Sequence, residues 1–297
     1  MLHHGKVVAQ HYAVGFDSAT PHVGWSMTKT VTGLLVGIRV AQGRLDLDGV
    51  ALRPEWRGDG QSKISLAHLL RMSSGLAFDE NYQNPRSDVV RMLYDTPDPA
   101  AFAVRSKLGS PPGETFKYSS GNTEILSLLL RESFAGDDEA YWQFPHQALL
   151  DPLGVGTATF EVDASGNLVA ASSMYAGAHD WARIGLLMLN RGKWAGRELV
   201  PERWIRFMTT PAASARDQEY GAHVWTSVPD VLTRAQGERP ELPADTFHMI
   251  GYEGQFVSVV PSRDLVVVRL GLARLNYSWD HEAFLHAVVQ ALPSRDG

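Results

Sequence analysis

Trp25-Ser26-Met27-Thr28-Lys29-Thr30-Val31-Thr32-Gly33-Leu34-Leu35-Val36-Gly37-Ile38 is the stretch on which the fold and the chemistry of this chain turn. Val31, Leu34, Leu35 and Ile38 recur at helical spacing, so a helix is expected to start near Ser26, with Gly43 placed to stop it. Residues three apart on a helix share a face, which sets Lys29 one turn above Ser26. A serine hydroxyl is a poor nucleophile until a base takes its proton. At the helix N-terminus Ser26 would have the positive end of the dipole beside any developing negative charge, and a lysine desolvated there would lose its proton near neutral pH. Spacing alone reads more simply as a capping serine followed by a solvated lysine, so the motif needs partners elsewhere in the chain.

Two further stretches supply candidates. Tyr118-Ser119-Ser120-Gly121-Asn122 follows a Pro-Gly turn and precedes a helix expected over Thr123 to Phe134, with Ile125, Leu128 and Leu129 as its apolar face. A tyrosine on a tight loop can pass protons if a nearby cation lowers its pKa; taken alone it reads equally as a core ring with a satisfied hydroxyl. Gly251-Tyr252-Glu253-Gly254-Gln255 opens a hairpin. Glycine at an edge strand lets substrate approach the backbone, and the amide that follows could form half of an oxyanion hole with the Ser26 amide as the other half. By itself this is a Gly-rich turn entering a strand.

Working outward, Val7 to Ala13 reads as a strand between Gly5 and Gly15. Ser65 can cap a short helix through Leu66, Leu69 and Leu70 that ends at Ser74-Gly75. Asp88 to Tyr94 and Asp180 to Asn190 are helix candidates, while Pro97, Pro99, Pro111, Pro112 and Gly113 mark loops. Gln255 to Val260 and Leu265 to Leu270 form a hairpin joined by Pro261-Ser262-Arg263-Asp264, and Trp279 to Leu292 is a closing amphipathic helix. This order suggests one α/β (α+β) domain in which an antiparallel sheet is covered by terminal helices. The sheet-bearing parts are expected near 1–60 and 165–297, with a helical insertion near 61–164.

The 297-residue chain carries a formal net charge of −6 with no block of like charges, which excludes a phosphate-binding basic face and so nucleic acid as a partner. It has no cysteine, so thiolate catalysis and zinc–thiolate sites are excluded. No apolar run approaches the ~18 residues of a membrane helix, and Met1-Leu2-His3-His4-Gly5-Lys6 lacks a signal-peptide core, which gives a cytoplasmic reading. His281-Glu282-Ala283-Phe284-Leu285-His286 departs from the zinc-protease spacing and reads as a surface helix. Asp46-Leu47-Asp48-Gly49 lacks the remaining ligands of a calcium loop. Gly24-Trp25-Ser26-Met27-Thr28 misses the G-x-S-x-G elbow of α/β-hydrolases. Neither a metal nor an organic cofactor is expected.

Together the three motifs, in this order and setting, resemble the serine β-lactamase and penicillin-binding-protein superfamily, whose S-x-x-K element Ser26-Met27-Thr28-Lys29 matches. The likeness is to the class C-like branch, with its esterases, D-aminopeptidases and 6-aminohexanoate-dimer hydrolases. Leu69-Leu70-Arg71-Met72-Ser73-Ser74-Gly75-Leu76 is similar to a further family segment, and Glu80-Asn81-Tyr82 with Pro85 resembles a substrate-side loop of the nylon-oligomer hydrolases. The resemblance implies a β-lactamase/transpeptidase-like fold. It implies that Ser26 attacks a carbonyl, that Lys29 and Tyr118 manage the proton, and that the amides of Ser26 and Gln255 hold the oxyanion. Tyr82, Ser120, Asn122, Tyr252 and Gly254 would then contact substrate. Two positions depart from the family pattern: Ser120 stands where asparagine is usual, and Tyr252 where lysine or histidine is common.

The expected activity is therefore hydrolysis of a small-molecule ester or linear amide through an acyl-enzyme. β-Lactamase, D-amino-acid peptidase and a catalytically silent binding protein are the alternatives. The family's usual helix before the first strand has no counterpart after Met1. An upstream segment, or a second subunit in a homo-oligomer, is expected to cover the face it would occupy.

Overall fold

The computed structural model describes residues 1–57, 60–230, 239–273 and 279–292. The strands are β1 (Leu2–His3), β2 (Lys6–Val7), β3 (His22–Val23), β4 (Thr159–Phe160), β5 (Met174–Ala176), β6 (Lys193–Trp194), β7 (Arg197–Glu198), β8 (Phe247–Gly251), β9 (Gln255–Val260) and β10 (Leu265–Arg269). The helices are α1 (Met27–Ala41), α2 (Leu66–Leu70), α3 (Asp88–Tyr94), α4 (Pro99–Val104), α5 (Ser120–Glu132), α6 (Asp138–Pro145), α7 (Asp151–Leu153), α8 (Ala178–Leu189), α9 (Glu202–Thr209) and α10 (His281–Ala291).

The main sheet has five strands in the order β2-β1-β10-β9-β8, with antiparallel pairing at each step. The β9–β10 register runs from Val260↔Leu265 to Phe256↔Arg269. Its four-residue connection closes on Asp264, whose φ of 46° supplies the left-handed step. Side chains alternate across a strand, and here both faces are covered, so β9 is buried throughout. Val257, Val259 and Val266 join the large core beneath α1 and α8. Val260, Leu265 and Val267 pack on the opposite face with Leu285 and Val289 of α10. Gly185 lets α8 settle on the sheet, since a Cβ there would come within 2.8 Å of Val266 and 2.9 Å of Val257. This is the antiparallel sheet flanked by helices that the motif order implies.

Helix α1 is buried from Met27 to Arg39, so it runs through the molecule rather than along its surface. Trp204 of α9 lies across it and donates from Nε1 to the Gly33 carbonyl at 2.9 Å. A three-stranded sheet, β3-β5-β4, ties the segment just before α1 to the region near residue 170.

Three local expectations change. The strand over Val7 to Ala13 is instead the short hairpin β1–β2, because His4 (φ 50°) and Gly5 (φ 68°) both take the left-handed conformation of a tight hairpin turn. Pro99 opens helix α4 instead of marking a loop, with Asp98 accepting from the Ala101 N–H at 2.8 Å. Helix α10 is not a surface helix at its start: His281 is 2% exposed and Glu282 6%.

Candidate active site

Ser26 is the N-cap of α1, and Trp25 before it has φ 48°. A bulky residue at positive φ is costly and persists only where the surroundings fix it. The surroundings here are tight. A Cβ on Gly24 would collide with the Trp181 ring, and one on Gly251 would collide with the Gly24 carbonyl oxygen. The end of β8 therefore abuts the turn that presents Ser26, which is why glycine is required at both places.

Lys29 reaches back one helical turn, with Nζ 3.0 Å from Ser26 Oγ. Its remaining protons go to Ser120 Oγ at 3.0 Å and to the Ala171 carbonyl at 2.8 Å. The side chain is 1% exposed. Burial pulls its pKa down to about 8, opposed by the nearby charges of Glu80 and Glu124. Lys29 is thus close to half-neutral in mildly alkaline water, as a base must be.

Tyr118 shares the cavity wall with Ser26, and its ring centroid lies 5.1 Å from Lys29 Nζ. Trp225 stacks on that ring at 5.2 Å and Tyr220 meets it edge-on at 5.9 Å. Burial, reinforced by the Glu80 charge, pushes the phenol well above its usual pKa, so Tyr118 rests as a neutral phenol. A tyrosine can pass protons if a nearby cation lowers its pKa; here loss of solvent and the Glu80 charge act the other way.

Ser26 and Tyr118 line a cavity of about 340 Å³ with Glu80, Tyr82, Trp225, Tyr252 and Trp279. Tyr82 and Tyr252 stack at 5.3 Å, and Trp25 meets Tyr252 edge-on at 5.8 Å, which makes one wall aromatic. Gly254 lies on the same rim. The described charged residues lining the cavity are Glu80 and Glu253, both acidic.

The remaining candidates are placed as follows. Gln255 begins β9 paired with Gly251, and its side chain is engaged with Gly271, as donor to the carbonyl at 2.6 Å and acceptor from the N–H at 2.9 Å. Ser120 is fully buried, held between Lys29 and Glu80. Asn122 is 1% exposed and accepts from Ser74 Oγ at 2.8 Å. Both lie behind the cavity wall rather than on it, because α5 starts at Ser120 and turns its first residues inward.

Glu80 is the participant that sequence reasoning left outside the site. It accepts from the Ser120 N–H at 2.8 Å and from Ser120 Oγ at 2.5 Å. The Glu80-Asn81-Tyr82 match was its only sequence signal. The Ala171 carbonyl had none, since a backbone atom leaves no mark in side-chain patterns.

The Beta-lactamase family model matches residues 1–276. The chain belongs to the β-lactamase family. It is 26% identical over 283 residues to the 6-aminohexanoate-dimer hydrolase of Paenarthrobacter ureafaciens, covering 91% of this chain and 71% of that protein. A Bacillus anthracis protein assigned as a 6-aminohexanoate-dimer hydrolase superposes with a TM-score of 0.74 at 20% identity, over 97% of this chain and 75% of its own. A family VIII carboxylesterase superposes with a TM-score of 0.68 at 15% identity, over 91% and 82% of the two chains. The last two likenesses show the β-lactamase/transpeptidase-like fold. This β-lactamase-family chain is accordingly a hydrolase of the serine class. Among the described residues, no helix is long and apolar enough to cross a membrane, and no cluster of ligating side chains could hold a metal ion.

Proposed function

We propose that this hydrolase cleaves small esters or linear amides through an acyl-enzyme on Ser26. The observation that carries the reading is a buried lysine, with a pKa near 8, whose Nζ lies 3.0 Å from a serine hydroxyl that faces a cavity.

In this reading neutral Lys29 takes the Ser26 proton as Oγ bonds to the substrate carbonyl carbon. The oxyanion is held by the backbone amides of Ser26 and Gln255, aided by the N-terminal end of α1. As the tetrahedral species collapses, the scissile bond breaks and the leaving group takes a proton from the Lys29–Tyr118 pair. Tyr118 suits this task because its raised pKa keeps the phenol protonated and so able to donate. Water enters, gives a proton to the same pair, and its oxygen bonds to the acyl carbon; as the Ser26 Oγ–acyl bond breaks, the pair returns that proton to Ser26 Oγ. General-base catalysis contributes about 10²–10⁴-fold and one oxyanion donor about 10²–10³-fold in turnover.

The cavity lining supports the substrate class. A β-lactam or a D-amino-acid peptide carries a carboxylate, and relatives hold it with a cation where this chain has Tyr252. Here the charged lining is acidic and the wall is aromatic, which suits an uncharged acyl or alcohol group. Losing a hydrogen bond to a charged group weakens binding by about 1.5–3 kcal/mol. Nitrophenyl butyrate, a linear aminohexanoate amide and a chromogenic cephalosporin, compared on one enzyme batch, test the assignment. The ester should give the highest kcat/KM, the amide a lower one and the cephalosporin the lowest. Cephalosporin turnover above that of the ester would move the protein to the β-lactamases proper.

A further inference from the structure

Ser120 stands where relatives of this chain usually carry asparagine, and the structure shows what the hydroxyl does there. It receives a hydrogen bond from Lys29 Nζ at 3.0 Å and gives one to Glu80 Oε1 at 2.5 Å. Glu80 Oε2 is meanwhile bound by the Ser120 N–H at 2.8 Å. An unbroken chain of hydrogen bonds therefore runs from Ser26 Oγ through Lys29 and Ser120 to a carboxylate on the cavity wall. A hydroxyl can accept from one neighbour while donating to another through the same oxygen; a side-chain amide needs two separate atoms for this.

We propose that Glu80 is a positioning residue of this reaction, acting through Ser120 to set how readily Lys29 gives up its proton. The inference rests on the reading of Lys29 as the base for Ser26. While Glu80 is ionised, its charge at the end of the chain holds the proton on Lys29 against the pull of burial. An opposite charge close by raises the pKa of an ammonium, by an amount that grows as water is excluded. A proton can also move along the chain. Lys29 N–H⁺ passes its proton to Ser120 Oγ while the Ser120 hydroxyl proton passes to Glu80 Oε1. Ammonium and carboxylate become amine and carboxylic acid, with no other bond made or broken.

Among the described residues, few other groups can set that balance. Lys29 is faced by Glu124 of α5, fully buried, whose Oε1 accepts from the Ala171 N–H at 2.9 Å, and by the neutral phenol of Tyr118. His223 lies nearby and is held neutral by burial. Glu80 is faced by Tyr82, whose hydroxyl donates to Oε1 at 3.4 Å, and senses Tyr118 and Tyr220, both with pKa values raised by burial. Glu124 has its own pKa raised to about 8, so it is partly protonated where Lys29 titrates. Burial raises the Glu80 pKa as well, opposed by the Lys29 charge and by the Ser120 hydrogen bonds; with both of its oxygens bound by Ser120, at 2.8 and 2.5 Å, Glu80 is the carboxylate joined to Lys29 through the chain.

The test is the pH dependence of two rates on wild type, Glu80→Gln and Glu80→Asp: ester kcat/KM, and fluorophosphonate labelling of Ser26. Glu80→Gln keeps the acceptor for Ser120 and removes the charge. Its ascending limb should move to lower pH by about one unit in both assays, while Glu80→Asp should keep the wild-type limb. A limb that stays in place in Glu80→Gln, with only a uniform loss of rate, would give Glu80 a purely structural role and overturn the proposal. Ser120→Ala is the second variant, should Glu80→Gln fail to fold. Cutting the chain there should also displace the limb, and an unmoved limb would again overturn it. A wild-type enzyme that neither labels at Ser26 nor shows a limb near pH 8 would instead refute the underlying assignment of Lys29 as base, independently of any Glu80 variant.

Discussion

Ser26 and Ser258 both sit against nitrogen bases, Ser26 with Lys29 Nζ at 3.0 Å and Ser258 with His248 Nδ1 at 2.8 Å and His281 Nε2 at 2.7 Å. By distance alone Ser258 has the better partners. Its hydrogen bonds even have a defined direction. The Trp279 Nε1–H donates to His281 Nδ1 at 3.2 Å, so His281 carries its proton on Nε2 and donates to Ser258, whose hydroxyl then donates to His248. Ser258 is nevertheless fully buried in the middle of β9 between α10 and β8, where no carbonyl can reach it. Ser26 is only half-buried, caps a helix and opens onto a cavity. A base beside a hydroxyl is therefore not what separates a nucleophile from a structural serine. Access for the substrate and a place for the oxyanion are.

The largest expected effect breaks the two apart. Ser26→Ala should lower ester hydrolysis by about 10³-fold or more, and Ser258→Ala should leave kcat/KM within a few-fold. The cost of Ser258→Ala should appear in stability, about 1–3 kcal/mol for the buried polar groups left unpaired, read by thermal or urea unfolding. Comparable activity losses in the two variants would erase the distinction.

Next in size is the coupling between Lys29 and Tyr118. Residues that act as one unit are strongly non-additive. The double change Lys29→Ala with Tyr118→Phe should cost far less than the product of the single losses, and fully multiplicative losses would count against a shared proton.

The two clusters also titrate differently. Lys29 has a pKa near 8, so kcat/KM should rise with pH through about 8 as the amine becomes neutral. Burial lowers His248 to about 3 and holds His281 well below its usual value. Both imidazoles are harder to protonate in the folded state than in the unfolded chain. Their contribution is therefore complete above the unfolded value of about 6.5 and is lost progressively as pH falls from there toward 3. Stability that stays flat from pH 7 to 4 would contradict a sealed, neutral histidine pair.

The smallest effect concerns Asn122. It is buried against Ser74 behind the cavity. Asn122→Ala should leave KM within about two-fold and cost about 1 kcal/mol of stability. A large rise in KM with unchanged stability would return Asn122 to the substrate side.

How much of this was legible beforehand follows from where the information lies. Helix α1, the β9–β10 hairpin and the Asp88–Tyr94 helix carry strong periodicity or turn chemistry, and each is found within a residue or two of its expected place. Strand β8, helix α9 and the π-turn His146–Leu150 went unread, since their form depends on what packs around them. In the site, the S-x-x-K spacing placed Lys29 against Ser26, which needs only helix geometry. The Ser120–Glu80 contact joins residues 40 apart, and the Ser258 cluster joins β8, β9 and α10, with nothing local to announce either. His281 was read as a surface residue because a helical pattern does not reveal which polar positions a sheet will cover.

Mapping a fluorophosphonate adduct by peptide mass spectrometry tests the central claim most directly. Labelling of the folded enzyme should be fast, stoichiometric and confined to the peptide bearing Ser26, slow sharply as the pH drops below 8, and vanish in Ser26→Ala. An adduct on Ser258 or any other serine, or no adduct on catalytically active enzyme, would contradict it.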